Sequence, residues 1–582
     1  MATLPNEIIL EVVKHFPIVT EFKHPDDVLE EYNLTKKTLT SLCLVSKTWR
    51  DIAQPLLYRT YIKTEKTDPN IDHDEYNEAK IEALEAKGVD ISTLPEEEFE
   101  WTDYRKPIPI EMFIRTMIER PDLAEQVECL SISNYWDENA ERKWGRTDVN
   151  KALGEMMYNA SLKVPPQKTK PAWRFDDWQE DWRNELREGD EIAEVALLMV
   201  LLPNVRCLDL GTSSGTYGTY VHDLWSQLLG PQSTKNVEHY GQDLDIDVDF
   251  ASQSSEPPLI LSHLEYFNAR VDSFLWKSAP KIHIVSPILT IPSLKIFYSW
   301  GLQEEYWSEN VRLPLAHLKE VFLNDCRVSE DVLIVTIGCC ERLESLDVVY
   351  SRWTDEVNLS ISFLMALSQR KETLKRLTLF LPEFYEHRND RELFINAPWD
   401  LRDLTNLETL SLDYEIIFSE DADVDPYDPD NVKFPYNLPE SIEQLNIENC
   451  KLNEDMAECA CYLLEARKKF NKLKFFEVNY ETLEPANDIQ KDQIVKLSMV
   501  AGMFKVEGTK MSVVDDDDKM LVPPEMVKVE DGPGSDGEDD WSDMSGSELG
   551  SLKDAGDRSN EDDRVNEDTN EETQGRYNLR PR

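Results

Sequence analysis

The chain has 582 residues, with 114 acidic against 62 basic side chains, a net charge of −52 and a pI near 4.5. That excess of carboxylates argues against a nucleic-acid binder, since neutralising phosphates needs a surplus of Lys and Arg, and against docking on anionic membranes. At 41% hydrophobic, with 14 Trp, 21 Tyr and 20 Phe, the chain can nevertheless bury a sizeable core.

The charge is unevenly spread. Residues 1–64 carry 8 acidic and 8 basic side chains, residues 65–126 carry 18 and 7, and residues 511–582 carry 22 and 8. The amino-terminal segment is therefore neutral in an acidic chain. Nine scattered cysteines include no pair of C-x-x-C motifs, so no zinc site is expected. MATLPNEIIL has no basic region followed by a cleavable apolar stretch, and the apolar run Ile192–Leu202 is too short to span a bilayer and contains Glu194. A protein of the cytoplasm or nucleus is expected.

The first 64 residues read as helical. Ile8, Ile9, Val12, Val13 and Phe16 recur at helical spacing up to Pro17. A second apolar run through Leu39, Leu42, Leu44, Val45, Trp49 and Ile52 is predicted to end at Pro55. The two halves, LPNEII and LTSLCLVSKTWRDIAQPLLYRTYI, resemble the F-box motif in the version common among fungal proteins. Leu4, Pro5, Glu7, Ile8, Leu42, Val45, Ser46, Lys47, Trp49, Arg50, Ala53, Pro55, Leu57 and Tyr58 fall on its usual positions. Residues 17–38 depart from it as an insertion between the halves, expected as a loop.

The resemblance implies that residues 1–60 bind the Skp-family adaptor and, through it, a cullin–RING ubiquitin ligase, within a helical F-box domain over 1–64. Leu4, Pro5, Ile8, Val45, Trp49 and Leu57 are the expected motif residues, some packing its core and some facing the adaptor. Residues 65–126 are expected to be an acidic helical connector, with EMFIRTMIER at 111–120 as an amphipathic helix.

From residue 127 the chain repeats. Ten segments fit an apolar-x-x-apolar-x-apolar template, starting at 127, 205, 264, 294, 318, 343, 374, 407, 442 and 473. From the third onward the starts lie 24 to 35 residues apart, the spacing of repeats that each contribute one short strand and a returning segment. Two continue to a cysteine, LKEVFLNDCRV at Cys326 and IEQLNIENCKL at Cys450. This stretch, 127–510, resembles the irregular leucine-rich repeats that often follow an F-box. The expected fold class is thus α/β: a small helical F-box head, a leucine-rich-repeat solenoid of parallel strands alternating with helices, and a disordered acidic tail over 511–582.

Few segments suggest chemistry. LDLGTSSGTYG at 208–218 resembles the glycine-containing loop of methyltransferases and contains G-x-S-x-G around Ser213, but Ser213 stands where the former wants glycine, and its strand also fits the repeat frame. Asp421, Asp423 and Asp425 are spaced like calcium ligands, yet Pro426 stands where that loop needs glycine. No cofactor is expected. In the tail, VKVE around Lys528 is similar to a sumoylation consensus, as is FKVE at 504–507. Ser535, Ser545, Ser559 and Thr569 each have an acid three residues on, which suits acidophilic kinases. The expected function is a non-catalytic substrate receptor whose repeats hold a protein target, a basic one on charge grounds. The alternatives are a repeat scaffold acting outside ubiquitin ligation and, more remotely, a methyltransferase.

Overall fold

The structure is a computed structural model that describes residues 25–63, 109–132, 148–163, 178–212, 260–271, 285, 288–303, 315–351, 356–381, 392–395, 400–417, 437–450, 454–480 and 510–515, with 496–497, 500–501 and 503–504. Its strands are β1 (Thr60–Lys63), β2 (Cys129–Ile132), β3 (Cys207–Thr212), β4 (Tyr266–Val271), β5 (Ile296–Trp300), β6 (Glu320–Cys326), β7 (Ser345–Tyr350), β8 (Glu356–Leu359), β9 (Arg376–Phe380), β10 (Glu392–Ile395), β11 (Thr409–Asp413), β12 (Gln444–Cys450), β13 (Phe475–Tyr480) and β14 (Lys510–Asp515). The helices are α1 (Pro25–Val45), α2 (Lys47–Arg59), α3 (Pro109–Glu119), α4 (Pro121–Ala124), α5 (Asp148–Ser161), α6 (Trp178–Glu188), α7 (Glu191–Leu201), α8 (Glu330–Cys339), α9 (Ile361–Ser368), α10 (Tyr414–Ile417) and α11 (Glu454–Glu465). None is long and apolar enough to cross a membrane among the described residues.

Twelve strands form one parallel sheet whose order follows the chain, with β8 and β10 set aside as a two-stranded parallel pair. All ten template segments are consecutive strands of it. The register explains why. Leu130, Leu208, Phe267, Phe297, Val321, Leu346, Leu377, Leu410, Leu445 and Phe476 stand opposite one another in a single row. The first and third apolar positions form two more rows, and none of the thirty side chains is more than 5% exposed. One repeat has nowhere to hide three such side chains; a neighbour on each side closes the row. Ser299 is the one polar residue among the thirty, and its hydroxyl donates to the Ala269 carbonyl at 2.9 Å.

A short turn enters most strands. The amide of the first template residue donates to a carbonyl three residues back, as in Leu264 to Leu261, Leu294 to Ile291, Leu318 to Leu315 and Leu343 to Cys340. The two residues between are left toward solvent.

The two cysteine-terminated segments share a further device. Pairing slips by one residue between Leu323 and Cys326 in β6 and between Ile447 and Cys450 in β12, a β-bulge in each. The bulges place Asp325 at φ 52° and Asn449 at φ 53°, the left-handed region that Asp and Asn tolerate best after glycine. Both cysteines are fully buried, and burial pushes their thiols far up, so they behave as small core residues.

Four expectations change. First, residues 25–38 belong to α1 rather than to a loop. The helix opens on Pro25, a residue suited to a first turn, and buries Tyr32 and Leu39, seven apart on one face. Second, Pro55 lies inside α2 instead of ending it, because Leu56 and Leu57 beyond it pack with Trp49, Ile52 and buried Ala53.

Third, the segment before residue 65 is not helical throughout, and the sheet begins within it. Thr60–Lys63 is itself the first strand, paired Thr60 to Cys129 through Lys63 to Ile132. The predicted helix at 111–120 is present as α3, and it buries Ile110, Phe113, Ile114 and Met117 in the core. The Phe113 ring stacks on Tyr61 at 3.9 Å between centroids. The 65–126 segment is therefore a crossover between two adjacent parallel strands. Fourth, β14 crosses the boundary drawn at residue 511: Lys510–Asp515 pairs with Phe475–Tyr480 and extends the sheet by one strand. The expected first helix, the connector helices before residue 109 and the acidic tail beyond Asp515 lie outside the described residues.

Candidate partner interface

The F-box-like segment folds as a helical hairpin, and its residue types account for the fold. Ser46 is extended at φ −162°, which breaks the helix, and its hydroxyl accepts from the Trp49 amide at 3.2 Å, capping α2. Arg50 Nε donates to the Cys43 carbonyl at 3.2 Å, satisfying an acceptor in the last turn of α1. The S-K-x-W-R string is thus a cap followed by a return bond. Leu39 and Ala53 are buried between the helices, with Leu42, Cys43, Trp49, Ile52, Leu56 and Leu57 packed around them.

Tyr32 fixes the hairpin to the sheet. Its hydroxyl donates to the Thr60 carbonyl and accepts from the Ile62 amide, each at 3.3 Å, on the outer edge of β1. Burial raises its phenol above the ordinary range, so it remains a donor. Lys36 Nζ lies over the ring, 5.4 Å from the centroid. At the other end Arg59 Nη2 reaches Glu128 at 2.6 Å.

The hairpin separates the expected motif residues into two sets. Trp49 and Leu57 are half-buried and pack the small core. Val45 is 65% exposed at the helix junction. Leu4, Pro5 and Ile8 lie outside the described residues. Two residues join Val45 on the surface: Leu44 at 77% and Leu34 at 66% are the most exposed large apolar side chains among the described residues. Leu34 was not read from the sequence as a site residue, and Leu44 was read only as part of an apolar face. The usable signal was the spacing: Leu34 and Leu44 do not share a face with Tyr32 and Leu39.

Of the other chemical candidates only the strand of the LDLG segment lies among the described residues. Asp209 of the LDLG segment sits within β3, fully buried, with Ser131 and Arg270 as partners. Cofactor crevices of doubly wound sheets open where the strand order reverses, and this sheet has no such point among its described strands. Ser213, Asp421, Asp423, Asp425, Lys528 and Ser535 lie outside the described residues. Among the described residues no three His, Cys, Asp or Glu side chains converge as metal ligands.

Comparison with known proteins adds no family: no family model matches the chain, and no curated protein matches it.

Proposed function

We propose that the chain is an F-box substrate receptor, with the hairpin binding a Skp-family adaptor of a cullin–RING ubiquitin ligase and the strand repeats holding the protein to be ubiquitinated. The carrying observation is the hairpin itself. The LP-x-EI and LVSK-x-WR halves resemble the F-box, and the second half, together with the insertion before it, builds a capped helix pair that keeps Leu34, Leu44 and Val45 on the surface. Exposed apolar side chains on a helix pair suit docking into a partner's groove. The neutral charge of residues 1–64 suits an interface led by apolar burial. In this reading the ten or more leucine-rich repeats are the target-holding part, and no residue of the chain has a catalytic role.

The test is native purification of the tagged full-length chain from its own cells. The expected result is retention of a Skp-family adaptor together with a cullin, lost when Leu44 and Val45 are both changed to Asp while the melting temperature stays unchanged. Absence of the adaptor overturns the reading. Adaptor without cullin replaces it with a scaffold acting outside ubiquitin ligation.

A further inference from the structure

The residue after the first apolar template position is charged in all ten segments. These residues stand side by side just before the strands, one per repeat, each linked to the next by a backbone hydrogen bond. In the middle of the row the order is Arg206, Glu265, Lys295, Lys319, Glu344, Lys375. Glu265 bridges Arg206 at 2.8 Å and Lys295 at 3.0 Å, and Glu344 bridges Lys319 at 2.7 Å and Lys375 at 2.8 Å. Among these six the signs alternate except between Lys295 and Lys319, which are neighbours, the Lys319 amide donating to the Lys295 carbonyl at 2.8 Å; farther along the row Glu408 and Glu443 are a second like-signed pair, of acids.

That fault in the alternation faces a cavity of about 230 Å³. Both lysines line it, and the solvent-facing turn residues before β4 to β7 complete it with His263, Ser293, His317 and Arg342. Arg342 is exposed and has no carboxylate partner among the described residues. The Ser293 hydroxyl oxygen is shielded from solvent and has no hydrogen-bond partner among the described residues. His317 Nε2 lies 3.1 Å from the Leu289 carbonyl, which orients the ring. Among the lining residues three cations, Lys295, Lys319 and Arg342, oppose the single carboxylate Glu265, a surplus of two positive charges before the histidines are counted, in a chain of −52.

We propose that this cavity binds a single phosphate monoester. A dianion between Lys295 and Lys319 restores the alternation from Arg206 to Lys375, and Arg342 supplies the planar fork that binds phosphate oxygens in pairs. The monoester matches in charge, about −1.5 to −2 at neutral pH, and in its three acceptor oxygens. A carboxylate brings half the charge. Glu265 and Glu344 stand on either side of the lysine pair, which disfavours a longer run of phosphates along the row. At roughly 30 Å³ per water, the space admits the phosphate with the first atoms of its carrier. The carrier is a phosphorylated Ser or Thr of another protein, or the phosphate is free in solution. The site lies on β4 to β7, away from the hairpin, and does not depend on the receptor reading.

The test is calorimetric titration of the full-length chain with inorganic phosphate, with a short phosphoserine peptide and with its unphosphorylated form. Saturable one-to-one binding is expected, weakened at least tenfold by Arg342→Ala and by Lys319→Ala. Lys474→Ala, in the same row but outside the cavity, leaves it unchanged. A phosphopeptide bound more tightly than phosphate identifies a protein-borne group; equal affinity identifies the free ion. No saturable heat with either phosphate probe overturns the proposal, as does binding that survives both cavity substitutions. Because Arg342 is exposed, its variant folds, and a melting curve checks this.

Discussion

Asp209 on β3 and Arg270 on β4 form an ion pair at 3.0 Å on the sheet face opposite the main core, with the two side chains 0% and 10% exposed. Ser131 on β2 donates to the same carboxylate oxygen, so one buried acid ties three consecutive strands together. Around them Cys129, Cys207, Tyr266, Tyr298 and Phe322 form a second apolar cluster, so this end of the sheet is buried on both faces. Asp209→Ala is expected to cost about 3–5 kcal/mol, because the charge of Arg270 stays in a dry site after its carboxylate is gone. Replacing both residues by leucine is expected to cost less than the single change. Urea unfolding of the two variants beside wild type measures the difference.

Asp347 on β7 gives a pH dependence of opposite sign to the usual carboxylate. Burial pushes it up to about 6, against weaker lowering by the Thr378 side chain and Arg376. A raised folded-state value means that the native state prefers the protonated acid. Its favourable contribution is present below the unfolded value of about 4 and is lost as pH rises through about 6. Asp347→Asn is therefore expected to raise stability at pH 7.5 by on the order of 2 kcal/mol and to change nothing at pH 4. Thermal melts of both proteins at the two pH values decide it.

Asn449 combines a left-handed backbone with a side-chain amide that donates to Asp413 at 2.7 Å. Asn449→Gly keeps the backbone and loses the bond, for about 1 kcal/mol. Asn449→Val loses both and adds about 1–2 kcal/mol of backbone strain. If the two variants unfold at the same urea concentration, the bulge does not need its left-handed residue.

Tyr32→Phe removes one hydroxyl that satisfies two backbone groups of β1. The expected cost is about 1–2 kcal/mol, felt locally. Hydrogen exchange at the Ile62 amide should speed up while the amides of β7 and β9 keep their protection.

The repeats were legible because three template positions recur in each segment, apolar in all but Ser299, and every one of them is buried. β1 and β14 were not, for a common reason. Each ends the sheet and lacks a full set of template positions: the β14 segment KMSVVD has no apolar-x-x-apolar-x-apolar run, and TYIK reads as the end of a helix. The pair β8 and β10 joins segments 36 residues apart that carry no template at all. The Pro55 stop failed because proline removes one hydrogen bond, while the apolar residues on both sides of it bind the same small core. The charged row before the strands was visible as letters, but its meaning depends on which residues become neighbours. Spacing along the chain does not state that Lys295 and Lys319 meet.

The passage from α2 to β1 has no intervening residue: Arg59 ends the helix and Thr60, at φ −124° and ψ 130°, begins the strand. There is no joint at which the hairpin can swivel on the sheet, and Tyr32 and Arg59 brace it from two sides. On the proposed receptor reading, a protein gripped by the hairpin would be held at a fixed bearing to every strand row. The distance from it to anything seated on the repeats is counted in strands, each about 4.8 Å from the next, as on a ruler. A tethered head would blur that distance; this one measures it.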